Sequence, residues 1–226
     1  MAELNILYSD PTICVAVKPV GVLSEPTGAG SGMPELLSAQ LGGELFTVHR
    51  LDRVVGGVMV FSRDKRFTGK LTAQVAEHKV QKEYLAVLTG VPEQEEAELR
   101  DLLFRDSSKN KTFVVRRPRK GVREAILSYR LLATTEVEGQ SLSLVRVKLQ
   151  TGRTHQIRVQ FASRGLSLLG DGRYGGKDKR CETALHSYHL GFTHPKTGKA
   201  MAFSALPKAE FPWNLFDLPA LLEEKP

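Results

Sequence analysis

Two segments of the chain place ionisable side chains where they could do chemistry. In Val48-His49-Arg50-Leu51-Asp52-Arg53, a carboxylate stands between two arginines. Opposite charge that close favours the charged form of a carboxylate, so Asp52 is expected to be able to act as nucleophile, base or electrostatic anchor. A turn residue or a structural ion-pair partner would look the same. In Thr151-Gly152-Arg153-Thr154-His155-Gln156-Ile157-Arg158, polar groups gather where a strand pattern gives way to a helical one. Thr151 or Thr154 could cap that helix. Its first N–H groups attract anions, and Arg153 and Arg158 add charge-assisted bonds to phosphate or carboxylate. His155 and Gln156 would then reach a phosphodiester backbone or sugar. An ordinary capped helix with a solvated polar face accounts for the same residues.

Two further groups are less specific. Lys82-Glu83-Tyr84-Leu85-Ala86-Val87 puts Tyr84 and Ala86 on one face of a strand, where the tyrosine offers a ring for stacking and a hydroxyl, or simply fills a core position. Cys181, His186, His189 and His194 have zinc-binding side-chain types, but their spacing fits no common zinc pattern. The chain has no G-x-x-x-x-G-K-[ST] loop, no strand followed by G-x-G-x-x-G and no G-x-S-x-G elbow. These absences weigh against nucleotide hydrolysis, hydride transfer and serine esterase chemistry.

The elements that must position these groups are short and mostly extended. Ile13 to Lys18 is a β-branched run that stops at Pro19 and Gly21, and a loop follows through Pro26, Gly28, Gly30 and Gly32. Pro34 to Leu41 predicts a short helix, Gly57 to Ser62 a buried strand, and Asp64 to His78 an amphipathic helix through Phe67, Leu71 and Val75. Strand patterns cover Lys82 to Thr89, Phe113 to Arg116, Ala125 to Ala133 and Ser141 to Leu149. Thr154 to Arg164 returns to helical spacing, Gly170 to Lys179 is a polar loop, and Leu185 to Phe192 with Ala200 to Phe203 reads as a hairpin. The strands at Ala125 and Ser141 are too close for a crossover helix, which favours an antiparallel or mixed sheet.

The chain has 226 residues, 41% hydrophobic and 25% charged, enough apolar material for one folded domain and too little for a long multidomain assembly. Its net charge of +7 favours an anionic partner, nucleic acid first. Arg146 to Arg180 holds nine basic residues against Asp171 and Asp178, and Arg116 to Lys120 has four cations in five residues. No run approaches the roughly 18 apolar residues of a membrane helix and no signal peptide is evident, so a cytoplasmic protein is expected. Cys14 and Cys181 are expected to be reduced and buried.

Taken in order, these segments resemble the RluA-type pseudouridine synthase family. The resemblance runs from Ile6-Leu7-Tyr8-Ser9-Asp10 and Val17-Lys18-Pro19-Val20-Gly21 through His49-Arg50-Leu51-Asp52-Arg53, Lys82-Glu83-Tyr84 and Thr151 to Arg158. It continues through Leu169-Gly170-Asp171-x-x-Tyr174 and Leu185-His186 to Phe192-x-His194-Pro195-x-Thr197-Gly198. It implies an α+β fold with a mixed, mainly antiparallel sheet, flanking helices and a central basic cleft. It also implies an isomerase that converts selected uridines of tRNA or rRNA to pseudouridine without cofactor or metal. By match to the motifs, Asp52 would be the catalytic aspartate, Tyr84 the tyrosine near the target base, and Arg153 the basic residue that pairs with the aspartate. Leu185 would supply an apolar wall, and His49, Arg50, Arg53, Thr154, His155, Gln156 and Arg158 would contact substrate.

Two departures from the family pattern stand out. Val54-Val55-Gly56-Gly57 replaces a polar D-T-S-G or A-T-S-G stretch, with Gly56 and Gly57 expected to keep the loop flexible, and Gln160 stands where a histidine is frequent. The chain reads as a single catalytic domain over 1–226, a monomer without an accessory N-terminal RNA-binding domain. Recognition is then expected to fall to Arg116 to Lys120 and the Arg146 to Arg180 surface. The alternative is a non-catalytic RNA-binding protein or chaperone on the same fold.

Overall fold

A computed structural model describes residues 3–26 and 30–223, and Gly28 of the predicted loop lies outside them. In chain order the elements are β1 (Ile6–Ser9), β2 (Ile13–Lys18), α1 (Met33–Leu41), β3 (Phe46–Thr47), β4 (Gly56–Ser62), α2 (Lys65–Ala76) and β5 (Gln81–Thr89). There follow β6 (Glu96–Asp106), β7 (Lys111–Val115), β8 (Val122–Val137), β9 (Gln140–Leu149), α3 (Gln156–Ala162), β10 (Leu185–Thr193), β11 (Ala200–Ser204), a 3₁₀ turn at Trp213–Leu215 and α4 (Leu218–Leu222). The chain divides into two compact units, one of residues 1–82 and 186–207, the other of residues 83–185 and 208–226.

In the first unit β1 and β4 flank β2 in antiparallel register, with Lys18 opposite Gly57. β4 also runs parallel to β10 at His186 and Ser187, and β10 pairs antiparallel with β11. All seven β4 residues are buried, as expected of a strand covered on both faces. Ile13, Val15, Val58, Val60, Leu71 of α2, Leu190 and Phe192 form the core. α2 starts at Asp64, whose carboxylate accepts the Arg66 N–H as an N-cap. Asp10 organises the β1–β2 turn and the hairpin end of β10: it accepts the N–H groups of Thr12 and Ile13, and its other oxygen lies 3.0 Å from His194 Nε2.

In the second unit the order is β5-β9-β8-β6-β7, all antiparallel. β8 and β9 are joined by Glu138-Gly139, both at positive φ, the two-residue turn whose twist matches a hairpin. Tyr84 on β5, Val147 on β9 and Tyr129 on β8 stand opposite one another in a row, and Tyr129 meets Phe161 of α3 edge-on at 5.3 Å. The sheet is mixed and mainly antiparallel, as expected. Four strands differ from the sequence pattern. β1, β3 and β6 fall where that pattern predicts no strand, and β8 runs four residues past Ala133. β6 is held by its ladder to β8 and by buried Leu99 and Leu103, and the exposed pairs Glu96–Arg130 at 3.2 Å and Arg100–Glu124 at 2.9 Å lie across that ladder.

Candidate active-site residues

Asp52 stands at the head of a tight turn in the first unit, its carbonyl accepting the Val55 N–H at 3.0 Å just before β4 begins. The peptides on either side are fastened. Ser24, buried in the loop after β2, accepts the Leu51 N–H at 3.0 Å and donates its hydroxyl to the Leu51 carbonyl at 2.8 Å. The Arg53 carbonyl accepts the Gly21 N–H at 2.8 Å and the Lys18 Nζ at 3.3 Å, and Arg53 Nε donates back to the Gly21 carbonyl. Lys18 is fully buried at the end of β2 and also donates to the carbonyls of Pro19 and Val22. Burial draws its ammonium down to about 8, and the Asp52 carboxylate opposes that shift, so the two groups feel each other through the turn.

Gly56 and Gly57 do not act as a flexible hinge, contrary to expectation. Both are buried in β4, and a Cβ at Gly57 would lie 2.6 Å from the Ser187 nitrogen, with φ at +120°. Gly57 is glycine because two backbones meet there, whereas a Cβ at Gly56 would first press on the Val20 side chain at 3.1 Å.

The structure also redirects several residues expected to contact substrate. His49 points inward, its Nε2 accepting the Val60 N–H at 3.1 Å, and burial pulls its imidazole down to about 3. Arg50 is exposed and ion-paired with Glu25. In the second unit Gln156 is buried. Its Oε1 accepts the Arg153 N–H and the Thr151 hydroxyl, and its Nε2 donates to the Ile126 carbonyl. Arg158, 4% exposed, grips Asp171 through Nε at 2.6 Å and Nη2 at 2.8 Å. The polar groups of His49, Gln156 and Arg158 are thus spent inside their units, because burial demands partners for them.

The start of α3 is likewise not the capped, anion-attracting terminus predicted. Its N-cap is His155 in the left-handed conformation with no side-chain cap, the helix has seven residues, and six are buried. The Thr151 hydroxyl accepts the Ile126 N–H instead, and the Thr154 carbonyl accepts the Thr112 hydroxyl. His155 Nδ1 lies 2.9 Å from the Tyr174 hydroxyl. Arg153 is half-buried beside this start, with Nε donating to the Glu124 carbonyl at 2.9 Å. Tyr84 is buried in β5, and Leu185 is buried at the head of β10.

The charge is arranged differently from its distribution in the chain. Of the Arg146 to Arg180 run, Arg146 pairs with Glu83, Arg158 with Asp171, Arg164 with Asp101, and Arg180 with Asp178 and Glu138. Four of the nine cations in that run are therefore ion-paired within their own unit, while Lys148, Arg173, Lys177 and Lys179 remain exposed. Arg116, Arg117, Arg119 and Lys120 are exposed, with the Arg119 guanidinium 4.4 Å from the Phe104 ring centroid. Cys14 is buried as expected, while Cys181 is only half-buried.

A family model described as RNA pseudouridylate synthase matches residues 12–163. The chain is 34% identical over 220 residues to an uncharacterized RNA pseudouridine synthase of Aquifex aeolicus, covering 88% of this chain and 68% of that protein. It is 32% identical over 224 residues to ribosomal large subunit pseudouridine synthase D of Zymomonas mobilis, covering 89% and 68%. It is 30% identical over 225 residues to tRNA pseudouridine synthase C of Haemophilus ducreyi, covering 90% and 91%. Among solved structures, human RNA pseudouridylate synthase domain containing 1 shares the fold with a TM-score of 0.78 at 23% identity, over 91% of this chain and 84% of that one.

Proposed function

The chain belongs to the RNA pseudouridylate synthase family, of the RluA type, and from that premise we propose that it isomerises selected uridines of tRNA or ribosomal RNA with Asp52 as its catalytic carboxylate. One observation carries this reading. The matched span, residues 12–163, contains H-R-L-D around Asp52, K-E-Y around Tyr84 and T-G-R-T-H-Q-I-R around Arg153, in that order.

In the reaction the bond from the ribose anomeric carbon to N1 of uracil breaks and a bond from the same carbon to C5 forms. C5 gives up its proton and N1 gains one, so the change is isomerisation without oxidant, reductant or second substrate. An ionised carboxylate serves as nucleophile towards C6 or the anomeric carbon, or as the base that takes a ribose proton. A base inside a stem must first leave its stack, at a cost of a few kcal/mol that aromatic stacking and phosphate contacts offset. By motif match Tyr84 is the stacking tyrosine and Arg153 the arginine that orients the carboxylate. The inward hydrogen bonds of His49, Gln156 and Arg158 support a scaffolding role for these three. Exposed Arg116, Arg117, Arg119 and Lys120 are the better candidates for phosphate contact.

The test is a site-resolved pseudouridine map of tRNA and ribosomal RNA from a deletion strain, bare or complemented. Specific positions should disappear in the deletion, return with the wild-type gene and stay absent with Asp52→Ala. A map unchanged by the deletion would sink the proposal, and a map restored by Asp52→Ala would remove Asp52 from its role.

A further inference from the structure

The hydrogen bonds around Asp52 point to a residue outside the motifs. We propose that Ser24 is a positioning residue, which sets the direction of the Asp52 side chain by fixing the Leu51–Asp52 peptide; the inference rests on Asp52 being the catalytic carboxylate.

The Leu51 carbonyl belongs to the peptide whose nitrogen is that of Asp52. The Ser24 hydroxyl donates to this carbonyl at 2.8 Å and accepts the Leu51 N–H at 3.0 Å, so one side chain fixes both peptide groups of the residue before the aspartate. That restricts ψ of Leu51 and φ of Asp52, the torsions that aim the Asp52 Cα–Cβ bond. On the far side of Asp52 the carbonyl of Arg53 is held by Gly21 and Lys18, so the turn is pinned at both ends. Ser24 is itself anchored. The Thr47 hydroxyl donates to the Ser24 carbonyl at 3.2 Å, and the Met33 N–H at the start of α1 donates to the carbonyl of neighbouring Leu23 at 2.9 Å. Ser24 and Leu51 are both buried, so water does not readily replace a deleted hydroxyl. A carboxylate displaced by a fraction of an ångström to 1 Å loses rate far more than it loses substrate, because binding is spread over many groups and chemistry depends on one.

The experiment compares Ser24→Ala, Ser24→Thr, Thr47→Val and Asp52→Asn with wild type. The readouts are tritium release from unmodified tRNA and large-subunit rRNA transcripts carrying 5-tritiated uridine, filter binding of the same transcripts, and urea unfolding. Thr47→Val is the control, removing a hydrogen bond from the same loop without touching Leu51. Ser24→Ala should lower kcat about 10²-fold with KM and RNA affinity within about twofold, while Ser24→Thr recovers most of the rate. Thr47→Val should lose comparable stability and keep kcat within about threefold. Equal loss of kcat in Ser24→Ala and Thr47→Val, or an unchanged kcat in folded Ser24→Ala, would overturn the positioning role. Asp52→Asn reports separately on the premise: if it keeps wild-type turnover, the reading of Asp52 fails whatever Ser24→Ala does.

Discussion

Arg158 and Asp171 form a buried, two-pronged ion pair at 2.6 and 2.8 Å, the arginine 4% and the aspartate 1% exposed. Asp171 also accepts the Arg173 N–H at 3.2 Å, and the Arg158 guanidinium lies 5.2 Å from the Tyr174 ring centroid. One pair therefore ties α3 to the loop before β10. Breaking a buried pair leaves an uncompensated charge, whereas replacing both members with apolar residues removes the desolvation penalty as well. Asp171→Ala should destabilise the protein by about 3 kcal/mol in urea unfolding, and Arg158→Met with Asp171→Leu should recover much of that. Equal losses in the single and double variants would show that no such coupling exists.

The glycines of β4 and α2 should respond in opposite directions. Gly57→Ala forces a Cβ against the Ser187 backbone at φ +120°, and neither strand can yield without breaking the β4–β10 ladder. Gly69, inside α2, has nothing within 4 Å of the added Cβ. Gly69→Ala should raise stability by about 0.5–1 kcal/mol, while Gly57→Ala should leave little folded protein. Comparing soluble yield and thermal midpoint of the two variants checks both outcomes.

Buried His49 makes stability depend on acid. Its folded pKa is about 3 against a reference of 6.5, so between these values the unfolded chain binds a proton that the folded one refuses. Stability from this group is complete above about pH 6.5 and falls as pH drops towards 3. His186, drawn down by burial to about 4, adds to the same window. At pH 5 the His49 contribution is a loss of about 2 kcal/mol relative to pH 7. His49→Gln keeps an acceptor for the Val60 N–H and removes the titration, so its urea midpoint should fall less between pH 7 and pH 5 than that of wild type.

Exposed cations after β7 should govern RNA affinity more than the ion-paired arginines of the longer basic run. Arg116→Ser with Arg117→Ser should weaken binding of an unmodified transcript uniformly and make the slope of log K against log salt shallower, by about 0.7–0.9 for each phosphate these arginines neutralise. Arg180→Ser should change the slope little, since that guanidinium already sits on Asp178 and Glu138. Filter binding across a salt series separates the two.

Much of this molecule is legible from its residues. Period and punctuation alone locate β2 to the residue and place β4, α2, β9 and the β10–β11 hairpin within a residue or two, because each carries its own hydrophobic pattern and stop signals. The ordered motifs single out Asp52, Tyr84 and Arg153, since residue type and spacing are properties of the chain. What partners a residue across the fold is not such a property. β6 forms because it ladders onto β8 and buries Leu99 and Leu103, with exposed pairs such as Glu96–Arg130 adding only a little. Gly57 is needed because β10 passes against it, and Ser24 reaches Leu51 only because the loop after β2 folds onto the turn before β4. His49, Gln156 and Arg158 look like solvent-facing polar groups in the sequence, but burial turned them inward and gave each a partner within its own unit. Ion pairing likewise took Arg146, Arg158, Arg164 and Arg180 out of the cationic run, while Lys148, Arg173, Lys177 and Lys179 stay exposed. Charge and hydrogen-bonding capacity are written locally, while the distance to a partner exists only once the chain has folded.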